Sequence, residues 1–533
     1  MTLAGTAALE RPVATLDRFA LPALLVLAAV LRLPDLATRG TWDGDQGHDM
    51  LVLRTLVRDG VVPLLGPPTS IGDVHHGAWY YYLLSPAAVL TGGDSPLAVV
   101  GLIALTGIAA VGVVWWLARS VGGPLAGVVA GATMAISAAA VDESTFIWNP
   151  NLIALSSAIA LAAAWKAWSG GDRRWWLLAA VGTAVTMQCH VLGVALLPII
   201  GAPFLFDARR RPLGAITVGI VLIFVAAYLP LIVNELTTDF SEARAASAYL
   251  AGGREAADVA LPVRFGIVGL RVVSWPLTGL ITDGFVAGSI AAVAVIAMIV
   301  WRWRVPDQGE RFVVRWFGLG LLWSVAFLAI AAPSLATVVR GLPNDHYHAF
   351  ADPMVFVLAG LGVTALLREV RAPAGGLLAA GAMVALLGWN LTHLPPRVHP
   401  DGGFPAGELA ARRVDGALTA QGVDRSMVAW LRSLPDFKST EAVVYPLARL
   451  GRSYVADLPK GGSALGSAPA GDPPAALVVL CDQLFRDAIG SDCGGPAEDA
   501  LALEAGQPQR TLIDRFEAAP GRWVSVYAVS SGG

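Results

Sequence analysis

Charge is scarce in this chain of 533 residues: 14% of its positions are Asp, Glu, Lys or Arg, while 55% are hydrophobic. Soluble domains carry about 25% charged residues, so an ordinary water-soluble fold is excluded and a polytopic membrane protein fits. The balance is nearly even, with 37 basic and 40 acidic residues and a formal net charge of -3. No basic excess is present of the kind that nucleic-acid partners or a membrane-surface tail require. Cysteine is scarcer still. Three residues exclude a disulfide scaffold and an iron–sulfur pattern, although Cys481 and Cys493 lie close together and can pair if the C-terminal portion faces an oxidising compartment. The chain also lacks the inverted internal repeat that builds many transporters. Its first apolar run follows Arg11 and Arg18 without a small-residue cleavage site before the next loop, and so reads as a retained anchor.

What is abundant is apolar sequence in long runs. A membrane helix needs about 20 predominantly apolar residues, and such runs begin near Phe19, Pro96, Pro124, Leu152, Pro212, Gly284, Trp316, Ala349 and Gly375. Residues 175–206 are also apolar, with Arg173 and Arg174 before them and Arg209, Arg210 and Arg211 after. Cytoplasmic loops collect Lys and Arg, so both flanks belong on one side. The segment must then cross twice, as two short helices turning near Gln188, Cys189 and His190. Nine runs and these two give eleven crossings from an inside N-terminus, with Arg119, Lys166, Arg302, Arg304, Arg311, Arg315, Arg368 and Arg371 cytoplasmic.

That topology gathers the polar chemistry on the outside. The first loop reads TWDGDQGHD over residues 41–49, and DVHHGAWYYYLLSP follows over residues 73–86. The FIWNPN turn at residues 146–151, the Gln188–His190 turn, residues 235–283 and RGLPNDHYH at residues 340–348 fall on the same side. Charge at a membrane boundary is costly and usually functional, and a one-sided cluster suits an interfacial enzyme better than a channel. Within the first loop Met50, Leu53 and Val57 recur at helical spacing, with Arg54 and Arg58 four apart, which predicts a short interfacial helix. After about His393 the composition shifts to Pro, Gly and Asp. Apolar patches at residues 475–480 and 523–529 then read as strands of a small α/β domain. The expected division is a membrane domain over residues 1–394 and an extracytoplasmic α/β domain over residues 395–533.

A carboxylate at such a boundary can act as general base toward a hydroxyl, and Asp45 and Asp43 are the candidates; the bland alternative is that they cap the following helix. Asp45, His48, His75 and His76 are ligand types that suit a divalent metal, yet no spacing here has the specificity of a helical HExxH, and no metal ligand is assigned. Trp79 and Tyr80 open a run of four aromatics that fits an interfacial belt or a sugar site. Gln188 and His190, at the apex of two short helices, need polar partners. Arg340, His346 and Tyr347 gather donors suited to a phosphate, and Arg271 is a further candidate. Arg32, at the end of the first helix, is expected to pair with the loop aspartates.

Together these residues resemble the GT-C superfamily of membrane glycosyltransferases, in particular bacterial relatives of protein O-mannosyltransferases and aminoarabinose transferases. The resemblance covers the membrane portion. LRLPDL followed by TWDGDQGHD is similar to the family's first external loop, where an acidic pair follows an Arg-containing helix end; Asp45 matches the catalytic aspartate, and Gln46 stands where the second acid is usual. HHGAWYYYLLSP is similar to the second loop, and DHYHAFADP to the late loop, with His346 where an arginine is usual beside the tyrosine.

The resemblance implies an all-α polytopic membrane fold with the small C-terminal α/β domain appended. It also implies transfer of a sugar, hexosyl or pentosyl, from a polyprenyl-phosphate donor to a hydroxyl acceptor on a glycan, lipid or protein at the outer face of a bacterial plasma membrane. Asp45 would be the base with inversion at the sugar carbon. Arg340, His346, Tyr347 and Arg271 would hold the donor phosphate, and His48, His75, His76, Trp79, Tyr80, Gln188 and His190 would line the substrate. The competing classes are a transporter or flippase of a lipid-linked substrate, which predicts ionisable residues at several helix centres, and a non-catalytic scaffold, which leaves the loop cluster without a role.

Overall fold

The computed structural model describes residues 4–69, 74–252, 259–279, 284–336, 347–457, 465–466, 474–503 and 510–529, with side chains described from residue 18 onward. Every apolar segment read from the sequence is helical. Among the described residues, seven helices are long and apolar enough to cross a membrane: Pro96–Gly122, Asn149–Gly170, Ala215–Thr237, Phe285–Arg302, Gln308–Ala331, Ala349–Glu369 and Ala374–Thr392. The other four segments are the first helix, Ala4–Arg32, and three shorter apolar helices, Pro124–Ile136, Trp175–Cys189 and Val191–Phe206. The break between the last two falls at His190, where the turn was expected.

Burial orders the bundle. Ala349–Glu369 has 83% of its apolar window buried and Ala215–Thr237 only 6%, so the former is the central post and the latter is outermost. Small residues permit the close approaches, since lipid supplies no hydrophobic drive between helices. A Cβ on Gly182 would lie 2.6 Å from the Ser156 carbonyl oxygen of the neighbouring helix, and one on Gly360 would lie 2.5 Å from that of Ala126.

Two features stand at the loop end of the bundle. The first loop forms a helix, Gly44–Asp59, as its apolar spacing predicts. Arg54 and Arg58 of this loop helix both reach Asp94, Arg54 at 3.1 Å. The second loop makes a hairpin of β1 (Leu65–Pro68) and β2 (His75–Gly77), then the helix Trp79–Leu90.

The C-terminal unit holds a six-stranded sheet. Its strands are β3 (Ala429–Leu434), β4 (Tyr454–Ala456), β5 (Leu465–Gly466), β6 (Ala476–Asp482), β7 (Arg510–Ala519) and β8 (Arg522–Val529), in the order β5-β4-β3-β6-β8-β7. Strand β3 pairs in parallel with β4 and β6, while β8 pairs antiparallel with both β6 and β7. The apolar patches read as strands are therefore β6 and β8. Six consecutive residues of β6 are buried, the continuous apolar pattern of a strand covered on both faces. Helices Gly403–Ala420 and Glu441–Arg449 belong to this unit. Asp415 accepts from Arg452 at 2.7 Å and Arg425 at 2.6 Å, and Cys481 is disulfide-bonded to Cys493, the pairing the sequence left open.

Candidate active site

The loop helix begins with a reciprocal cap. The Asp43 carboxylate accepts from the Gly44 N–H at 2.8 Å, and the Gln46 side-chain oxygen accepts from the Asp43 N–H at 2.8 Å. Such a cap satisfies N–H groups that the first helical turn otherwise leaves open. Gln46 is buried, and its amide nitrogen donates to the Ile147 carbonyl at 2.8 Å, tying the first loop to the FIWNPN turn. A carboxylate could serve the cap but could not donate to that carbonyl, which gives the amide at this position a physical reason. Asp43 also faces two cations of the C-terminal unit, Arg522 at 2.9 Å and Lys438 at 3.6 Å. Burial alone would raise its carboxyl, but Arg522, Lys438 and the Gly44 N–H outweigh that and hold it below the usual carboxylate range. Asp43 is thus a cap and an ion-pair partner.

Asp45 differs. It is exposed, and no described residue gives it a hydrogen bond or ion pair. Crowding by surrounding protein atoms, then the charge of Asp43, then Glu441 raise its carboxyl to about 6, against the pull of His48 and Lys438. One turn on, the His48 ring contacts Glu441 at 2.7 Å through Nδ1. Burial would lower this imidazole, but Glu441, Asp49 and Asp45 prevail and lift it to about 9. Asp49, buried on the same face, accepts from the hydroxyls of Tyr80 at 2.6 Å and Tyr81 at 2.9 Å. Residues 45, 48 and 49 share a face because helical neighbours recur at three and four positions. The face presents an open acid, a paired imidazole and a tyrosine-bound acid.

The second loop meets the other polar turns in a stack of rings. His76 lies 4.5 Å from His190 between centroids, His190 lies 4.4 Å from Tyr347, and Tyr347 lies 6.2 Å from Trp148. Burial and His75 push His76 down to about 3, so its Nδ1 is free to accept from the Val191 N–H at 3.3 Å. Asn149 donates to the Cys189 carbonyl at 2.5 Å. Gln188 is buried, bonds Tyr228, and packs so tightly on Gly77 that a Cβ there would lie 2.0 Å from its side-chain oxygen. His75 turns away to Glu242, at 2.8 Å through its N–H and 2.9 Å through its ring. Trp79 is half-buried and donates to the Ala226 carbonyl at 3.3 Å.

Arg271 is buried on the helix Leu261–Thr278, donates to the Leu335 carbonyl at 3.0 Å and lies over the Trp275 ring. The Trp275 ring in turn meets His348, the residue after Tyr347, at 5.4 Å. Arg340 and His346 lie outside the described residues. Arg32 departs from expectation: it does not meet the loop aspartates but turns back into the bundle, donating to the carbonyls of Ala135 at 2.9 Å and Met134 at 3.1 Å and to Ser144 at 3.3 Å. The end of the helix Pro124–Ile136 leaves those carbonyls without intrahelical partners, and a buried guanidinium satisfies them better than loop carboxylates would satisfy it.

Among the described residues, the one group of three or more Cys, His, Asp and Glu close enough to hold a metal is Cys481, Cys493 and Glu498, and its two cysteines are bonded to each other. Asp45, His48, His75 and His76 do not gather into such a group.

Several residues at the site come from the far end of the chain. Lys438, Glu441 and Arg522 reach the loop helix; Asp401 accepts from the Thr41 hydroxyl at 2.6 Å and the Trp42 N–H at 3.0 Å. Only Glu441 had a local signal, since Ser439, Thr440 and Glu441 precede an apolar run as a helix start does. Its reach to His48 had none.

No protein-family model matches the chain, and the comparison with curated proteins finds no relative. Solved structures do match. The chain is similar to ArnT from Cupriavidus metallidurans bound to undecaprenyl phosphate, with TM-score 0.61 and 13% identity over 96% of this chain and 98% of that one. It is equally similar to ArnT in the apo state, with TM-score 0.61 and 14% identity over 95% and 97%. The oligosaccharyltransferase AglB from Archaeoglobus fulgidus aligns more loosely, with TM-score 0.47 and 14% identity over 83% of this chain and 69% of that one. The chain shares the fold of ArnT, a bundle of apolar helices with a small C-terminal sheet unit appended, the all-α polytopic fold with a small α/β unit that was expected.

Proposed function

We propose that this protein is a glycosyltransferase that moves a sugar from a polyprenyl-phosphate donor to a hydroxyl acceptor at the outer face of a bacterial plasma membrane. The observation that carries the reading is Asp45: an open carboxylate with no partner among the described residues, set between Asp43 and Asp49, which are both engaged, within an ArnT-like fold. Asp45 takes the acceptor proton as the acceptor oxygen attacks the anomeric carbon. The bond from that carbon to the phosphate oxygen breaks, the lipid phosphate leaves with the electron pair, and configuration inverts. Phosphate is a good leaving group, so one carboxylate suffices where glycoside hydrolysis uses two.

Arg271 and Tyr347 neighbour one another through Trp275 and His348, and we assign them with Arg340 and His346 to the departing phosphate, whose charge such donors stabilise. That the ArnT neighbour binds undecaprenyl phosphate supports a donor of this kind. His48, His76, Tyr80, Gln188 and His190 shape the substrate side, with His75 and Trp79 fastening the second loop. The Cys481–Cys493 bond supports an oxidising, extracytoplasmic location for residues 395–533.

The test is incubation of purified protein with polyprenyl-phosphate sugars and detection of released lipid phosphate. Release that disappears in Asp45→Asn supports the reading; undiminished release in that variant refutes the base. Movement of intact lipid-linked sugar across vesicles without release would instead identify a transporter.

A further inference from the structure

The C-terminal unit is built into the first-loop site at its backbone. The helix Glu441–Arg449 lies against the loop helix so closely that a Cβ on Gly47 would sit 2.1 Å from the Glu441 carbonyl oxygen, and one on Gly44 would sit 2.4 Å from Ser439. Trp42 donates to the Ala442 carbonyl at 2.8 Å, and Tyr445 donates to that of Gly93 at 3.0 Å. These contacts leave Glu441 buried with its carboxylate fixed between two partners, His48 at 2.7 Å and the Ser439 hydroxyl.

From this geometry we infer that Glu441 is a positioning residue of the first-loop site: it holds the His48 imidazole as an oriented cation one helical turn from Asp45. The proposal rests on the glycosyltransferase reading for its consequence, though not for its chemistry. A cation near the start of a helix is disfavoured by the helix dipole and, when largely buried, by lost hydration. His48 therefore needs a counter-charge. The acids facing it are Glu441 from the neighbouring helix and Asp45 and Asp49 from its own. Asp49 is already committed to Tyr80 and Tyr81, and Asp45 is open to solvent. The nearby cations Lys438 and Arg522 are directed at Asp43. Glu441 alone makes the direct contact. With Nδ1 held there, the remaining ring N–H keeps one direction, suited to donating to an oxygen of a substrate that Asp45 deprotonates.

Diethyl pyrocarbonate, which acylates neutral imidazole, tests this on the full-length protein with peptide-resolved mass spectrometry. Wild-type His48 resists at pH 7 and gains reactivity with a midpoint near 9. Glu441→Gln makes it react at least tenfold faster at pH 7, Glu441→Asp restores most of the resistance, and the exposed His393 reacts alike in all three proteins. A wild-type midpoint at or below 7 overturns the proposal whether or not the variants fold, as does an unchanged His48 rate in a folded Glu441→Gln protein. In the lipid-phosphate assay, Glu441→Gln moves the alkaline limb of kcat to lower pH, where a merely structural loss would scale activity evenly across pH. Absence of wild-type turnover would count against the glycosyltransferase reading while the labelling result stood.

Discussion

Gln46 donates its side-chain amide to the Ile147 carbonyl while accepting the Asp43 N–H, so one buried residue closes the helix cap and joins two loops. Replacing it with glutamate keeps the acceptor and removes the donor, leaving a carboxylate against a carbonyl oxygen. An unsatisfied buried polar group costs about 1–3 kcal/mol, and more when charged. Gln46→Glu is therefore expected to lower the thermal midpoint in detergent by several degrees, and Gln46→Ala by less. A glutamate variant as stable as the native protein would contradict this account of the substitution.

Asp45→Asn should behave in the opposite way. Its side chain makes no hydrogen bond with described residues, so the thermal midpoint should move little while turnover falls by about three orders of magnitude, the middle of the range general-base catalysis supplies. In the native protein the carboxyl is raised to about 6, and a carboxyl can fill the proposed role of base only when ionised. Turnover should therefore rise as pH rises through about 6 and level off above it. A rate independent of pH between 5 and 7 would remove Asp45 from the role.

The two hydroxyls on Asp49 should prove interdependent. Removing either by Tyr80→Phe or Tyr81→Phe leaves the acid one remaining donor of this pair and is expected to cost about 1.5–3 kcal/mol, the range for bonds to charged groups. Removing both should cost more than the sum, because the acid then loses its last tyrosine donor. A double-mutant cycle by chemical denaturation reads the coupling directly, and strict additivity would show that the two bonds act separately.

Gly47→Ala offers a contrast with ordinary helix behaviour. Alanine in place of an interior helical glycine usually stabilises by about 1 kcal/mol. At Gly47 the new methyl would meet the Glu441 carbonyl at 2.1 Å, so the two helices must part. The variant should expose the C-terminal unit to limited proteolysis and lose stability. Gly381→Ala, which meets nothing within 4 Å, should not.

Reading the chain went furthest where the signal is local. Apolar runs located the long apolar helices, and the arginines around residues 175–206 located the break at His190, but the helices Ser241–Gly252 and Leu261–Thr278 lie in a stretch read as a polar outer segment. Met50, Leu53 and Val57 foretold the loop helix because a 3.6-residue period survives in sequence. The convergence of His76, His190, Tyr347 and Trp148 was foreseen only as a shared face, since ring contacts depend on packing between distant segments. Glu441 and Arg522 escaped for the same reason: each is an unremarkable charge in its own stretch, nearly 400 residues or more from its partner. Arg32 misled because a charge near a membrane surface invites an ionic partner, while helix-end carbonyls, invisible in composition, had the stronger claim.

The seam between Gly47 and Glu441 joins backbone to backbone, and the same helix that forms it carries the counter-ion of His48. Mechanical opening and electrical discharge are therefore one coordinate: any separation of Glu441–Arg449 from the loop helix takes the Glu441 carboxylate away from His48 in the same movement, and the contact returns only when the helix seats again.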